Sequence, residues 1–323
     1  MKTIDQIAQF FNESEDFTGS VKQNENLSKH TTMNVGGTAR IFLEPENEES
    51  LIFAIKALDA DVRGDSQIKS FFVLGGGSNV IISDNGLDAV ISTRKINSIS
   101  FFNADKHGCT QICVSAGSSW GSVLSFCKKN NLGGFEAFTG LSGTVGGALF
   151  MNATCFGLSA CDNLISVRYF DLNDGKIHEY EKVDSDWGYK KSPFQLLTAH
   201  CSLLISKVIL SAKFSVKNGF DSEKSEKCMS DRREKGHFRA PSSGSAFKND
   251  AAHGIIAGKV IDECGLKGFA VGGAQIAPWH GNFIVNPERK ATASDIKKLS
   301  DEVKKIVLEK TGIVLENEIL FVS

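Results

Sequence analysis

Hydrophobic positions alternate between helical and extended spacing along the chain, and glycine pairs mark the points where one gives way to the other. Residues 4 to 11, IDQIAQFF, have helical spacing and predict a short helix. The stretch NLSKHTTMNVGGTARIFLEP reads as a turn, then Gly36-Gly37 feeding a strand over Ala39 to Leu43 that Pro45 stops. ENEESLIFAIKALDA places Leu51, Ile55 and Leu58 on one helical face. SFFVL predicts a strand that runs straight into Gly75-Gly76-Gly77-Ser78-Asn79, and VIIS, AVIST and SISFF predict three more.

Ile112 to Ala116 reads as a strand, and AGSSWGSVLSFCKKNN as a helix with Trp120, Val123, Leu124 and Cys127 at core positions. LISVRYFDL and KIHEYE form a hairpin across Asn173-Asp174-Gly175, and CSLLISKVILSAKFSV is a long β-rich run. The lysine-rich stretch from Lys217 to Asp231 marks a boundary or a helix entering a second domain. MSDRREKGHFRAPSSGSAFKND then has little regular pattern and reads as a long functional loop. AAHGIIAGKVIDECG is a helix ended by Gly265, and GGAQIAPWHGNFIVN a loop and strand. SDIKKLSDEVKKIVLEKTG is a helix with Ser294 as N-cap and Gly312 at its C-terminus. The last strand, VLENEILFV, puts Glu316 and Glu318 on one face. The expected class is α+β.

At 323 residues the length suggests roughly two domains. A formal net charge of −2 gives no global basic field, which argues against nucleic acid as a partner. No apolar run reaches the roughly 18 residues of a membrane span. The acidic, amphipathic MKTIDQIAQFFNESEDF lacks a signal-peptide core, so a cytoplasmic location is expected. The eight cysteines include no C-x-x-C pair, and Cys109 and Cys113 at i, i+4 have no histidine-rich partner segment. No metal is expected.

Two glycine-rich stretches carry the candidate chemistry. VLGGGSNVIIS and LSGTVGGALFMNATCFG each set glycines beside small hydroxyl residues and a following apolar run. Backbone N–H groups in such turns form a concavity for an anion, to which Ser78, Asn79 and Thr144 add side-chain donors. A pyrophosphate held from two sides is one reading; two tight turns needing positive φ is the other. Ser245 in SSGSAFKN is either a turn serine or a proton donor, and Glu318 either edge protection or a placed acid. WGYKKSPF is a solvated basic turn or an anion clamp, and Arg232, Arg233, Lys235 and Arg239 a solvated cluster or a phosphate site.

Together these segments resemble the UDP-N-acetylenolpyruvoylglucosamine reductases (MurB), flavoenzymes of bacterial cell-wall precursor synthesis, in order from about Leu27 to Phe321. The family's T-T-x-x-x-G-G is matched by Thr31 to Gly37, L-G-x-G-S-N by Leu74 to Asn79, and the G-T-V-G-G-A tract by Gly134 to Gly157. The Y-R-x-S tract is similar to Trp187 to Phe194, P-S-A-G-S-x-F-K-N-P to Pro241 to Asp250, and A-G-x-L-I-x-x-x-G-L-K-G to Ala257 to Gly268. G-G-A-x-x-x-x-x-H-x-N-F-I-x-N is matched by Gly272 to Asn286, A-T-A-x-D by Ala291 to Asp295, and L-x-x-E-[VI] by Leu315 to Ile319.

The resemblance implies a vanillyl-alcohol-oxidase-type FAD-binding domain over 1–212, with α+β subdomains of about 1–95 and 96–212. A smaller α+β substrate domain follows over 213–323, its tail returning to the flavin site. FAD would contact Gly75, Gly76, Gly77, Ser78, Asn79, Gly140, Gly143, Thr144, Val145, Gly146, Gly147 and Asn152. Ser245 would be the proton donor, Glu318 the acid beside the enol-like intermediate, and Lys190 the cation at the place of the family's arginine. Tyr189, Lys190, Lys235, Asn249 and His280 would contact the UDP-sugar, and NADPH would supply hydride to a monomeric enzyme. No extra tyrosine-bearing loop is identified, as in the shorter type of the family. The chain departs from the family at Lys190, at Ser142 and Asp250 where proline is usual, at Asn34 in the tract before the early Gly-Gly, at Thr154-Cys155-Phe156, and at Leu320 in place of arginine. A diverged paralogue acting on another nucleotide sugar, and a flavin-binding protein without turnover, are the alternatives.

Overall fold

The computed structural model describes residues 1–104, 110–195 and 206–323, so Cys109 and the start of the run at Cys201 lie outside the described residues. In chain order the elements begin α1 (Ile4–Glu13), β1 (Gly19–Asn26), β2 (Thr38–Pro45), α2 (Glu48–Arg63), β3 (Phe71–Leu74), β4 (Val80–Ile82), β5 (Leu87–Ser92), β6 (Ile99–Ala104) and β7 (Thr110–Ser115). There follow α3 (Trp120–Lys129), β8 (Leu132–Gly133), α4 (Val145–Phe150), β9 (Thr154–Cys155), β10 (Leu158–Ser159), β11 (Leu164–Asp171), β12 (Lys176–Glu181) and β13 (Lys207–Asn218). The remainder is α5 (Ser222–Glu234), β14 (Ser242–Ser245), α6 (Ala257–Glu263), β15 (Ala270–Val271), β16 (Ala274–Ile276), β17 (Phe283–Val285), α7 (Ala293–Thr311) and β18 (Leu320–Val322).

The chain divides into two compact units. The first holds Met1–Glu25, Ala39–Gly76 and Asp88–Ser230; the second holds Asn26–Thr38, Gly77–Leu87 and Asp231–Ser323. Residue 212 lies inside β13, which runs unbroken through the middle of a sheet, and the division falls after Ser230. Residues 77–87 join the second unit because β4 pairs in parallel with β18, with Val80 opposite Leu320.

The first unit contains a four-stranded sheet, β1-β2-β5-β3, and an antiparallel six-stranded sheet running β12-β11-β13-β7-β6, with β8 added on β13. Ile7, Phe11, Leu51, Ile55 and Leu58 of α1 and α2 pack on Ile41, Leu43 and Ile91, and on Phe170, Val208 and Leu210 of the larger sheet. Its other core gathers Trp120, Val123, Leu124 and Cys127 of α3 around Phe135, Phe138 and Phe214. Each helix follows from the spacing of these apolar positions. The polar strand β1, GSVKQNEN, carries no such pattern.

In the second unit the sheet β14-β17-β16-β15 packs on α6 and α7, with Ile261, Ile276, Ile284, Ile296, Leu299 and Val303 in the core. Met33, Val35 and Ile81 from the early segments are buried in the same core. The N-cap of α7 is Thr292, in a capping box with Asp295; Ser294 is the second helical residue, and its N–H and hydroxyl both donate to Asp84. The unpatterned stretch from Met229 resolves into the end of α5 and the strand β14. Of VLENEILFV only Leu320–Val322 is a regular strand.

Candidate active site

In the first unit β3 delivers Gly75 and Gly76 against the turn at Gly143 and Thr144. A Cβ on Gly76 would meet Gly143 Cα, and one on Gly75 would sit 2.6 Å from Thr144 Oγ1. The backbones touch because neither glycine has a side chain. Thr144 is the N-cap of α4, and its hydroxyl accepts from the Gly147 N–H at 3.3 Å. The Val145 and Gly146 N–H groups donate to the Ser118 and Ala116 carbonyls at 2.9 and 2.8 Å. Those three donors, expected to face a pyrophosphate, are engaged in fixing the turn. Among the described residues the Gly75 and Gly76 N–H groups have no such acceptor.

Beside them lies a cavity of about 170 Å³ lined by Gly76, Arg94, Asn97, Gly117, Ser119, Ser122, Gly143 and Thr144. Ser119 caps α3, so the positive end of that helix opens here. The Arg94 guanidinium has no carboxylate or carbonyl partner among the described residues. Three glycines, three hydroxyls, a helix N-terminus and a cation make a cradle whose chemistry suits an anion such as the diphosphate of a dinucleotide. Arg94, Asn97, Gly117, Ser119 and Ser122 were missed in the sequence because they belong to no glycine motif.

Asn152 is buried at 3% exposure with φ +40°; its Nδ2 donates to the Gly188 carbonyl at 2.8 Å and its Oδ1 accepts from the Cys161 N–H at 3.3 Å. Its amide is thus engaged within the protein, not held open toward a ligand. Tyr189 and Lys190 form the tip of a two-residue turn, with Lys190 Nζ 5.6 Å from the Tyr189 ring centroid. Gly140 sits at φ +77° in the loop leading to Gly143.

In the second unit the segment around Glu318 lies antiparallel to the one following β14. Phe247 bridges Asn317, the Lys248 N–H donates to Glu316 O, and the Glu318 N–H donates to Ala246 O at 2.8 Å. Glu318 is therefore fixed beside the residue that follows Ser245. Asn79 closes the arrangement, its Nδ2 donating to Glu318 O at 3.1 Å while its own carbonyl accepts from Leu320. Buried Asn282 grips the other side: its amide both accepts from the Phe247 N–H and donates to Phe247 O, at 2.9 and 2.8 Å. At the turn itself it is Ser242 whose hydroxyl accepts, from the Gly244 N–H at 3.1 Å. The Ser245 hydroxyl makes no hydrogen bond among the described residues.

The other expected substrate residues are more dispersed in role. Lys235 pairs with Asp231 at 2.7 Å, and Asn249 Oδ1 accepts from the Ala257 N–H at the start of α6. Gly77 carries φ +66° and its carbonyl accepts from Thr32. His280 stacks on Phe283, ring centroids 3.9 Å apart, and its Nδ1 accepts from the Asn282 N–H. His237 meets the same Phe283 edge-on at 4.7 Å. Burial pushes His237 down to about 4, helped by the charge of Arg232, and burial with Lys235 lowers His280.

A histidine lowered from 6.5 to about 4 on folding binds fewer protons in the folded state between those values. Its contribution to stability is complete above about 6.5 and is lost as pH falls toward 4. The melting temperature is expected to drop between pH 7 and 5, and His237→Gln to flatten that part of the profile. A His237 ring signal titrating near 6.5 by NMR would contradict this burial.

Among the described residues no helix is long and apolar enough to cross a membrane. Comparison with known proteins places both units. Residues 39–181 match the FAD binding domain family, and residues 236–322 match the family described as UDP-N-acetylenolpyruvoylglucosamine reductase, C-terminal domain. Proteins named UDP-N-acetylenolpyruvoylglucosamine reductase include one from Treponema denticola, 40% identical over 313 residues, covering 94% of both chains. One from Borreliella burgdorferi is 36% identical over 303 residues, covering 93% of this chain and 94% of its own. The crystal structure of UDP-N-acetylenolpyruvylglucosamine reductase (MurB) from Thermus caldophilus superposes with a TM-score of 0.71 at 29% identity, covering 95% of this chain and all of that one. A dinucleotide cradle in the first unit, a matched C-terminal module in the second, and relatives alike over nearly the whole length leave one assignment: the chain belongs to the UDP-N-acetylenolpyruvoylglucosamine reductase family.

Proposed function

We propose that this chain reduces UDP-N-acetylglucosamine enolpyruvate to UDP-N-acetylmuramate with NADPH, using FAD as its resident cofactor, in peptidoglycan precursor synthesis. FAD, when bound, supplies the hydride chemistry between the nicotinamide and the enolpyruvyl C3. Gly75, Gly76, Thr144 and Arg94 hold its diphosphate in the cavity of the first unit. Gly77, Ser78 and Asn79 belong to the same proposal from the second.

Reduction at C3 places negative charge on the enolpyruvyl carboxylate, and the product needs a proton at C2. Ser245 holds that proton, because its hydroxyl is not engaged in the turn that Ser242 closes. Glu318 supports the enol form as an acid, and Lys190 neutralises the carboxylate. Lys235, Asn249, His280 and Tyr189 receive the diphosphate and sugar. The observation that supports this reading is the bond from the Glu318 N–H to Ala246 O, which ties the backbone at Glu318 to the residue that follows Ser245. The return of the 316–320 segment to the flavin, a cytoplasmic location and a monomeric state belong to the same proposal.

The test is NADPH oxidation by the purified yellow protein, with and without the enolpyruvyl substrate. One NADPH consumed per substrate supports the reading, and oxidation indifferent to the substrate overturns it. The relatives' shared name over nine-tenths of the chain favours this substrate over another nucleotide sugar. Turnover of a different UDP-sugar in preference to the enolpyruvyl compound would reverse that order.

A further inference from the structure

Lys190 occupies a backbone conformation that a lysine does not choose for itself. Its φ is +55°, in the left-handed region where a side chain is strained and glycine is preferred. It is the second residue of a two-residue turn closed by Gly188 and Lys191, which exchange N–H···O bonds of 3.1 Å in both directions. The turn is also held from outside.

Both arms of the turn are tied to the same short stretch of chain. On one side Asn152 Nδ2 donates to Gly188 O at 2.8 Å. On the other, Ser192 Oγ donates to Phe150 O at 2.7 Å and accepts from the Phe194 N–H at 3.3 Å. Asn152 and Ser192 are each 3% exposed, so water does not compete for these bonds. Phe150 is the last residue of α4, Asn152 follows two residues later, and α4 is capped at its other end by Thr144 in the glycine turn. Asn152 is itself at φ +40°, and its Oδ1 is anchored by the Cys161 N–H. A continuous bonded path thus runs from the turn at Gly143, along α4, to both sides of Lys190.

We propose that Asn152 and Ser192 are positioning residues, which fix the Lys190 ammonium relative to the glycine turn. The inference rests on the reading of Lys190 as the cation that meets the substrate carboxylate. It replaces the expectation that Asn152 is a cofactor ligand. A lysine lacks the planar fork of arginine and places a point charge on a flexible stem, so the geometry has to come from the backbone beneath it. Two buried bonds on opposite arms supply that geometry.

The test is a double-mutant cycle on the holoenzyme. Asn152→Asp keeps an acceptor for Cys161 and tolerates the left-handed backbone, but removes the donor to Gly188. Ser192→Ala removes the bond to Phe150, and Ser192→Thr retains a hydroxyl. Asn152→Asp and Ser192→Ala are each expected to slow flavin reoxidation by the enolpyruvyl substrate about 100-fold, the scale of an ångström-sized misplacement. Flavin content, flavin dissociation constant and the rate of flavin reduction by NADPH should stay at wild-type values, and Ser192→Thr should recover most of the rate. In a Lys190→Ala background, adding Ser192→Ala should cost nothing further. A full additive loss in that background overturns the positioning role, as does release of flavin from Asn152→Asp. Wild-type reoxidation by Lys190→Ala alone would overturn the underlying reading of Lys190, a result visible before either partner is changed.

Discussion

Ser245→Ala is expected to bleach normally with NADPH and then to reoxidise with the enolpyruvyl substrate about a hundred- to ten-thousand-fold more slowly than wild type, the usual range for a general acid. The split follows from what the hydroxyl does in the fold, which is very little. The turn at Gly244 is closed by the Ser242 hydroxyl, and β14 is held by backbone bonds such as that from the Ala246 N–H to Asn282 O. Removing the Ser245 oxygen therefore leaves the strand, the Glu318 contact and the melting temperature intact. On the proposed role, only the proton for C2 is lost. Stopped-flow absorbance of the flavin separates the two half-reactions directly. Reoxidation within threefold of wild type would make Ser245 an ordinary strand residue and return the proton to some other donor.

The second large effect is expected at Gly76. Its φ lies outside the left-handed region, so alanine there meets no backbone strain. The obstacle is contact. The new methyl would fall on Gly143 Cα, 3.0 Å from the Gly143 carbonyl carbon and 3.2 Å from the Thr144 nitrogen, all backbone atoms with no rotamer to change. The two turns must part, and overpacking of this kind typically costs about 1–3 kcal/mol. Because those turns line the cavity proposed for the diphosphate, the cost is expected in cofactor affinity, roughly a 5- to 150-fold weaker flavin complex. Gly76→Ala should purify pale and regain colour only in excess FAD. Gly219, where nothing lies within 4 Å but φ is +93°, serves as the control for backbone strain alone. Fluorescence titration of the apoprotein measures both, and wild-type affinity in Gly76→Ala would remove the glycine contact from the binding site.

Most of the helices, the Asp174-Gly175 hairpin and the family itself were readable because each depends on local pattern or on an ordered run of motifs. What escaped depends on distance along the chain. Arg94 reaches the cavity beside Gly76 from just past the end of β5, with no spacing rule connecting it to Gly76 or Gly143. The cap of α7 was set two residues late, since the serine at 294 looks like a cap until Asp84 is known to bond its N–H. The N–H groups of Val145 and Gly146 resemble anion donors in sequence, but the Ser118 and Ala116 carbonyls take them. β4 reads as part of the N-terminal half until its partner β18 is found.

That last pairing also sets a timetable for biosynthesis. Asn79 and Glu318, bonded in the folded second unit, are 239 positions apart in the chain. At the ribosome's roughly 5–20 residues per second, the Asn79 segment waits about 10 to 50 seconds before its partner is made. Met33, Val35 and Ile81, buried in the finished unit, spend that interval without the residues that cover them. The first unit's sheets do not wait as long, because their strands are complete by Asn218. The nascent protein therefore carries an uncovered strand and apolar side chains through that interval, the state in which chaperone binding matters most.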